Sequence, residues 1–379
     1  MLKNKIRFFL LSLAVAVPLF FMVEMKFFPE NSPKTSPKKT FELMVDVTRL
    51  IKSQYITETD PVTTMSGAFR GLVDSLDIMS SYLTPDQLSM FQQRRDPEIH
   101  ETGVILYKHY GLYPRVIGLV KESPAEKAGL EIGDSITAVD NQSTLLMSLI
   151  ETRLLMQSRR PEEIQLKVVR ANKTLDVSLG KIILHNNHYS LGEVEKNMPV
   201  LVIHHFYAPL VRQIRENILP RFKGKTTKLI IDLRNCGEGD IEEAVEFLDI
   251  FIDSDTIGYF TKKGKKSQSL DCSQPPALPD LKLFVWTDFG TMGPAEIVAG
   301  ALKEAKRAKI IGRITPGLAS KQTLFILEDG SGLLLTSEIF HLASGKKVWD
   351  AGIKPDVSIP SDSRGDEIYL QKTRLSFPQ

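Results

Sequence analysis

The sequence is poor in cysteine and carries almost no excess of one charge. Its 379 residues include 2 Cys and 2 Trp, and 48 Lys and Arg stand against 46 Asp and Glu, a formal net charge of +2. Two cysteines exclude a scaffold stapled by disulfides, and 24 Gly and 21 Pro exclude collagen and long disorder. A chain this close to neutral is not expected to bind nucleic acid. What remains is a globular chain long enough for two or three domains.

The small net charge is unevenly distributed. Residues 1–40 carry seven basic and two acidic side chains, so a leader of +5 precedes a body of −3. Behind three early positive charges, the uncharged run Phe8–Val23 would form about 24 Å of helix. We interpret residues 1–28 as a signal anchor or signal peptide, and the lack of a small-residue cleavage site favours the anchor. The predicted location is a bacterial-type cytoplasmic membrane, crossed once, with the body on the periplasmic or extracytoplasmic side.

Hydrophobic periodicity divides the rest of the chain. A Pro-rich linker at 29–40 leads into a helical unit at 41–97, with helices over 41–55, over 62–76 and after Pro85. Residues 98–182 change to short β-rich runs, interrupted by helices at Pro124–Ala128 and Thr144–Gln157. Strands then alternate with helices over 183–360, which predicts an α/β layer, and residues 361–379 form a C-terminal tail.

The β-rich region contains a specific motif. Residues 122–140, ESPAEKAGLEIGDSITAVD, resemble the PDZ pattern, in which Pro124 opens a one-turn helix and Gly129 ends it. The resemblance implies a peptide groove. Backbone N–H groups of the loop would hold a peptide carboxylate, and a strand edge would add the peptide as an extra strand. The implied groove residues are Thr102, Gly103, Val104 and Ile105 on the loop and strand, and Leu145 and Leu149 on the facing helix. The alternative for the leucines is a purely structural role in the core.

Four further segments extend the resemblance over residues 41–360. They are GLVDSLDIMSSYL at 71–83, LIIDLRNCGEGDIEEAVEFLDIF at 229–251, EIVAGAL at 296–302 and GIKPDV at 352–357. In this order they resemble the C-terminal processing peptidase (tail-specific protease) family. That family implies an α/β core with an inserted PDZ domain and a small N-terminal helical unit, preceded here by an N-terminal membrane helix. It also implies a serine endopeptidase that uses a Ser/Lys dyad assisted by Gln, without a cofactor or metal.

The resemblance places the catalytic positions on unsuitable residues. The nucleophile's position falls on Gly293, the lysine's on Leu318, and the assisting glutamine's on Gln322. Glycine has no side chain and leucine cannot accept a proton. The turn that helps to form the oxyanion hole becomes Gly237, Glu238 and Gly239, where a carboxylate would repel a developing oxyanion. We therefore expect a pseudopeptidase that binds protein C-termini or extended peptides without cutting them.

Two alternatives remain open. A rewired peptidase could use Thr291 or Cys236 as nucleophile with Lys321 as base, although an acidic neighbour raises rather than lowers a thiol pKa. An oligomeric scaffold would need no groove, and self-association or pairing with an active relative is a further possible partnership.

Smaller signals point to no other chemistry. The sparse histidines His185, His188, His204 and His205 do not predict a metal site, the lysines of 262–266 suit a solvated hairpin tip, and pairing of Cys236 with Cys272 is left open.

Overall fold

The computed structural model describes residues 37–376 except 160–161, 185–186, 196–197, 223–227, 254–255, 273, 362 and 364. The predicted membrane helix at 1–28 and His185 therefore lie outside the described residues. Among the helices that are described, none has the length and apolar character needed to cross a bilayer. Two compact units divide between Gly67 and Ala68.

The first unit is helical. It contains α1 (Pro37–Gln54) and the first half of α2 (Pro61–Asp74). Thr48 lies within α1, where its hydroxyl bonds to the carbonyl of Met44 at 2.9 Å. That bond satisfies a polar side chain inside a helix. The same hydroxyl lies 3.5 Å from the Met65 thioether of α2, which links the two helices of this unit.

The second unit begins with the end of α2, followed by β1 (Ser81–Leu83) and α3 (Pro85–Gln93). The start of α3 is fixed by a capping box, in which Thr84 and Gln87 exchange side-chain and backbone hydrogen bonds. Leu83, Leu88 and Phe91 of this segment are buried against Ile150 and Leu154 of the next domain.

The next domain is an antiparallel sheet with two short helices. Its elements are β2 (His100–Glu101), β3 (Val104–Tyr107), β4 (Arg115–Leu119), α4 (Pro124–Lys127), β5 (Ser135–Val139), β6 (Gln142–Ser143), α5 (Leu149–Leu155), β7 (Gln157–Ser158), β8 (Ile164–Arg170), β9 (Lys173–Leu179) and β10 (Ile182–Ile183). The sheet order is β3-β4-β5-β8-β9, and β10-β2-β7 form a small second sheet. The prediction of a helix from Thr144 is wrong at its start, because Ser148 caps α5 in a capping box with Glu151.

The remainder forms the α/β core. Its elements are β11 (Tyr189–Glu195), β12 (Met198–Ile203), α6 (Leu210–Asn217), α7 (Leu219–Phe222), β13 (Lys228–Asp232), α8 (Ile241–Leu248), β14 (Gly258–Lys262), β15 (Lys265–Leu270), β16 (Lys282–Thr287), α9 (Pro294–Glu304), β17 (Ala308–Gly312), β18 (Ser320–Ile326), β19 (Gly332–Leu342), β20 (Val357–Ser358) and α10 (Asp366–Arg374). The main sheet runs β11-β12-β13-β16-β17-β20, and all its pairings except β11 with β12 are parallel.

Alternating residues of the main sheet fill two cores. One face, including Ile231 and Val285, packs against α6, α8 and α9. The other face, including Ile230 and Trp286, packs against α10 through Tyr369 and Leu370. The predicted C-terminal tail at 361–379 thus contains a helix that covers a sheet face, and amphipathic packing rather than propensity fixes it there.

A second core sheet carries the remaining strands. Its order is β1-β19-β14-β15, and β18 pairs with β19 along the other edge. The β14–β15 connection has positive φ at Lys263 and Gly264, 48° and 76°, as a two-residue hairpin turn requires. The lysines of 262–266 are exposed at this tip, as predicted.

Candidate functional site

The position predicted for the nucleophile forms a sharp turn into α9. Gly293 directly precedes the helix with φ 56° and ψ −117°, a conformation that favours glycine. Hydrolases that present a serine at a strained strand-to-helix elbow use such a turn to expose the hydroxyl. A Cβ added at Gly293 would meet no heavy atom within 4 Å. The elbow is therefore present with space for a side chain, but its residue offers no nucleophile.

A buried carboxylate joins this elbow to the position predicted for the lysine. Oε2 of Glu296 accepts the backbone N–H groups of Gly293 at 3.1 Å and Leu318 at 2.6 Å. Oε1 accepts the Thr315 hydroxyl at 2.5 Å and the Gly317 N–H at 2.6 Å. Burial raises the pKa of Glu296 to about 7, although these hydrogen bonds oppose the rise. Sequence reasoning missed Glu296, although an acidic residue three positions after a helix start is a known capping signal.

The lysine's position offers no base. Leu318 is buried and aliphatic. Gln322, two residues into the strand β18 that follows, donates from Nε2 to Ser320 Oγ at 2.8 Å, and this hydroxyl donates to the Leu318 carbonyl at 3.0 Å. The structure therefore brings Gly293 and Leu318 to one carboxylate, and it turns the Gln322 amide back onto its own strand.

The turn at 237–239 is used for packing and for an ion pair. The Glu238 carboxylate forms an ion pair with Arg153 of α5 and accepts the Tyr207 hydroxyl at 3.3 Å. Its charge is thus compensated by a cation, which sequence reasoning did not foresee. The terminal methyl of Met292 lies 2.4 Å from where a Cβ on Gly237 would be. Met292 therefore packs directly on the first glycine of the predicted oxyanion turn.

Pro294 is a further defect that sequence reasoning missed. In elbow-type hydrolases the N–H of the residue after the nucleophile donates to the oxyanion. Here that residue is Pro294, the first residue of α9, and proline has no N–H. Proline is favourable at a helix start for the same reason that it cannot serve an oxyanion hole. Pro294 is visible in the sequence, but only the elbow geometry shows that it removes a possible oxyanion donor.

The rewired candidates are either bonded elsewhere or poorly suited to ionise. The fully buried Thr291 donates to the Leu233 carbonyl at 2.8 Å and accepts the Asp288 N–H at 3.0 Å. Burial, with a smaller effect of nearby carboxylates, raises the pKa of the Cys236 thiol well above its usual range. Lys321 donates to Gln268 Oε1 at 2.5 Å and lies 4.6 Å over the Phe260 ring.

Within the part of the chain that the structure describes, Thr291, Cys236 and Lys321 make no hydrogen bond to one another. Cys236 and Cys272 are free, buried thiols. Across the same described ranges, no three His, Cys, Asp or Glu side chains come together in a group that could hold a metal ion.

The predicted peptide groove lies along β3. This strand pairs with β4 on one side, and no other described strand pairs with it. Thr102 and Gly103 are buried before it, and Val104 and Ile105 on it are half-buried. Leu149 is 4% exposed and belongs to the core of this domain, so the alternative of a structural role in the core holds for this leucine.

Leu145 lies in the segment before α5 rather than on the helix, and it is half-buried. The two predicted leucines therefore differ. Leu149 fills the domain core, whereas Leu145 retains exposed surface beside the groove.

The same domain packs against loops that flank the elbow. Tyr107 of β3 contacts Phe289 with ring centroids 5.0 Å apart. Asn235 donates to the Leu119 carbonyl at 3.4 Å, and its Oδ1 lies 1.9 Å from where a Cβ on Gly118 would be. Only glycine fits at position 118 in this arrangement, so β4 lies directly against the turn that follows β13.

Comparisons with known proteins agree with this architecture. A model of peptidase family S41 matches residues 197–359, and a PDZ domain model matches residues 115–170. The chain belongs to the C-terminal processing peptidase family, and it carries a PDZ domain. This confirms the family predicted from the sequence motifs.

The family's curated members include probable CtpA-like serine proteases. One from Staphylococcus haemolyticus (strain JCSC1435) is 26% identical over 318 residues, 83% of this chain and 63% of that protein. One from Staphylococcus aureus (strain COL) is 27% identical over 353 residues, 92% of this chain and 70% of that protein. The chain thus spans about two thirds of the length of these relatives.

A solved family structure has the same fold. The photosystem II D1 C-terminal processing protease superposes with a TM-score of 0.70 at 20% identity, covering 85% of this chain and 93% of that one. At this identity the likeness concerns the fold. It confirms the family's α/β core and PDZ domain for this chain.

Proposed function

We propose that this chain is a non-catalytic member of the family, a pseudopeptidase that binds protein C-termini or extended peptides through its PDZ domain. The observation that carries the proposal is the pair Gly293 and Leu318, held on one carboxylate oxygen of Glu296 at the site of the family dyad. A Ser/Lys mechanism needs a hydroxyl and a neutral amine within hydrogen-bond reach of each other. These two positions supply neither group.

The surroundings of the dyad support the same conclusion. Pro294 lacks the N–H that would stabilise an oxyanion, and Met292 packs on Gly237. Loss of one oxyanion donor typically lowers kcat by about 10²–10³-fold. The nucleophile, the base and an oxyanion donor are therefore lost together, which a single compensating residue cannot repair.

Peptide binding is the activity that the remaining parts support. β3 has an edge that no described strand occupies, and Gly103 precedes it with φ 80°, so backbone donors are available to an added strand. We propose that the leader anchors this body on the extracytoplasmic side of a bacterial-type cytoplasmic membrane, as an adaptor, a decoy or a regulator of an active relative.

Cleavage assays distinguish the pseudopeptidase from a rewired enzyme. Purified full-length protein is incubated with an unstructured polypeptide, and products are followed by mass spectrometry. We expect no cleavage by the native chain. Turnover that Thr291→Ala or Lys321→Ala abolishes would overturn the proposal in favour of the rewired peptidase.

Binding assays distinguish the pseudopeptidase from an oligomeric scaffold. Fluorescence anisotropy with a library of C-terminal peptides should identify binders whose affinity falls when Ile105→Pro disrupts the β3 edge. The control variant is Ser178→Ala, at an exposed position on β9. A proline control such as Lys167→Pro is unsuitable, because it would disturb a central strand. If no peptide binds while circular dichroism reports an intact fold, the scaffold is favoured, and sedimentation then measures its self-association.

A further inference from the structure

A cluster of four charged side chains, three of them buried, lies beside the peptide groove. It contains Arg70 and Asp74 of α2, Lys108 after β3, and Glu151 of α5. Asp74 is 4% exposed, Lys108 3% and Glu151 1%. Burying charges this deeply is costly unless they compensate one another. None of the four belongs to the family dyad, so the cluster needs its own explanation.

Lys108 joins the two sides of the groove. Its ammonium donates to the carbonyl of Leu112, in the β3–β4 loop, and to the carbonyl of Leu145 at 3.0 Å, in the segment before α5. Leu145 is the half-buried groove residue described above. A single side chain therefore connects the end of the peptide-binding strand to the start of the facing wall.

The two carboxylates around Lys108 are satisfied unequally. Glu151 pairs with Arg70 at 2.7 Å and also accepts the Gln87 amide at 2.9 Å and the Ser148 N–H at 2.7 Å. Asp74 accepts the Tyr82 N–H of β1 at 3.3 Å through Oδ1. Its Oδ2 is buried without a hydrogen-bond partner. A carboxylate with one buried, unsatisfied oxygen is readily protonated, because the proton removes an uncompensated charge.

We propose that Lys108 is a positioning residue of the peptide groove, and that the buried charges around it make its hold on the groove depend on pH. The inference rests on the proposed peptide-binding function and names a regulation of that site. The groups that face Asp74 are Arg70 on its own helix, the Tyr82 backbone of β1, Glu151 of α5 and Lys108.

The titrations give the expected pH dependence. Burial, followed by the Glu151 charge, raises the pKa of Asp74 to about 7. Burial lowers the pKa of Lys108 to about 8 against the opposing effect of Asp74 and Glu151. Because the packed cluster raises the pKa of Asp74, protonation of Asp74 below about pH 7 stabilises the cluster, and its ionisation above that pH destabilises it. Lys108 is charged on both sides of pH 7, so its hold on the two carbonyls should be strongest near pH 5.5, where Asp74 is neutral.

The binding test uses the full chain and a short fluorescein-labelled peptide that ends in apolar residues with a free carboxylate. Affinity should be highest near pH 5.5 and fall at least about fivefold by pH 7.5. Asp74→Asn should remove this fall, because the amide keeps the side chain uncharged at both pH values. The double variant Asp74→Asn with Lys108→Met leaves Arg70 and Glu151 to balance each other. It should bind more weakly and without the pH profile.

A matched control removes the same charge types from an exposed strand. Asp176→Asn with Lys173→Met, both on β9, should keep the native profile. A flat native profile, or a profile that survives unchanged in the Asp74/Lys108 double variant, would overturn the inference.

A second readout needs no ligand. Hydrogen exchange of segments 108–114 and 143–148, corrected for intrinsic rates, should show most protection near pH 5.5 in the native chain and little pH dependence in the double variant. If protection in the native chain does not depend on pH, the inference is overturned even if peptides bind. Absence of peptide binding at every pH overturns the proposed function instead, and the exchange result then decides the inference separately.

Discussion

Gly293 and Leu318 donate their backbone N–H groups to the same oxygen of Glu296, at 3.1 and 2.6 Å. The sequence motifs predict these as the positions of nucleophile and base. The scaffold that would hold a catalytic pair in place is thus present in the backbone, while the reacting side chains are absent. This separation makes the chain suitable for testing which parts of the site are needed for chemistry.

Restoring the dyad alone should not restore efficient catalysis. In Gly293→Ser with Leu318→Lys, Pro294 still withholds an oxyanion donor, so labelling by a fluorophosphonate serine probe should be slow. Adding Pro294→Ala should increase the labelling rate by about 10²-fold. Pro294→Ala alone is the control and should not be labelled. Equal rates for the double and triple variants would show that the missing N–H is not limiting.

Stability should fall as pH rises from about 4 to about 7. The pKa values of Asp74 and Glu296 are raised to about 7 from ordinary values of 3.8 and 4.5. The folded state therefore binds more protons than the unfolded state in this window, and each group lowers the unfolding free energy by roughly 3–4 kcal/mol across it. Below the window both states are protonated, and above it the loss is complete.

Urea unfolding at a series of pH values measures this effect. Asp74→Asn should reduce the slope of unfolding free energy against pH, and Glu296→Gln should reduce it independently at a cost in stability, because an amide NH₂ would face donors. Glu367→Gln, on an exposed side chain of α10, is the control and should leave the slope unchanged. Stability that increases with pH over the window contradicts the assignment.

Both cysteines should be unreactive in the native chain. Cys236 and Cys272 are free and buried, and burial raises the thiol pKa of both, for Cys272 to about 12. We expect negligible reaction of the native chain with a disulfide reagent at neutral pH. In guanidinium chloride, which unfolds the chain, two thiols per chain should react. Rapid native reaction of Cys236, removed by Cys236→Ser, would restore it as a candidate nucleophile.

Gly118→Ala should disturb the packing of the PDZ domain on the core. A methyl group there would overlap the Asn235 amide, and overpacking of this kind costs about 1–3 kcal/mol. Asn235→Gly removes the obstacle and suits the positive φ of 59° at that residue, so the double variant should recover stability. Thermal unfolding measures both effects. Gly192→Ala, where a methyl meets nothing within 4 Å, is the matched control.

Local patterns predicted the elements well where one face is buried. The strands of the PDZ domain alternate between buried and exposed positions, as in β8, and they lie within the region 98–182 that was predicted to contain short β-rich runs. The start of α5 was misplaced because apolar residues at helical spacing continue before it, whereas the Ser148–Glu151 capping box fixes the first turn. The helix α10 was missed because its stability depends on packing Tyr369 and Leu370 against a distant sheet.

The candidate site shows a similar division. Gly293, Leu318 and Gln322 could be placed by motif, since each lies at a fixed spacing from matched residues. The roles of Glu238 and Asp74 could not be placed, because Glu238 pairs with Arg153, and the charges that act on Asp74 include Glu151 and Lys108, all in elements far along the chain.

The sequence by itself determined the family, and it predicted the order of domains and the loss of nucleophile and base, because these depend on residue identity and spacing along one chain. Only the tertiary structure decided that Glu296 joins the two degenerate positions, that Glu238 is neutralised, and that Lys108 connects both sides of the groove. Hydrogen bonds and charge pairs act over a few ångströms in space. A one-dimensional pattern cannot specify which distant residues come within that range.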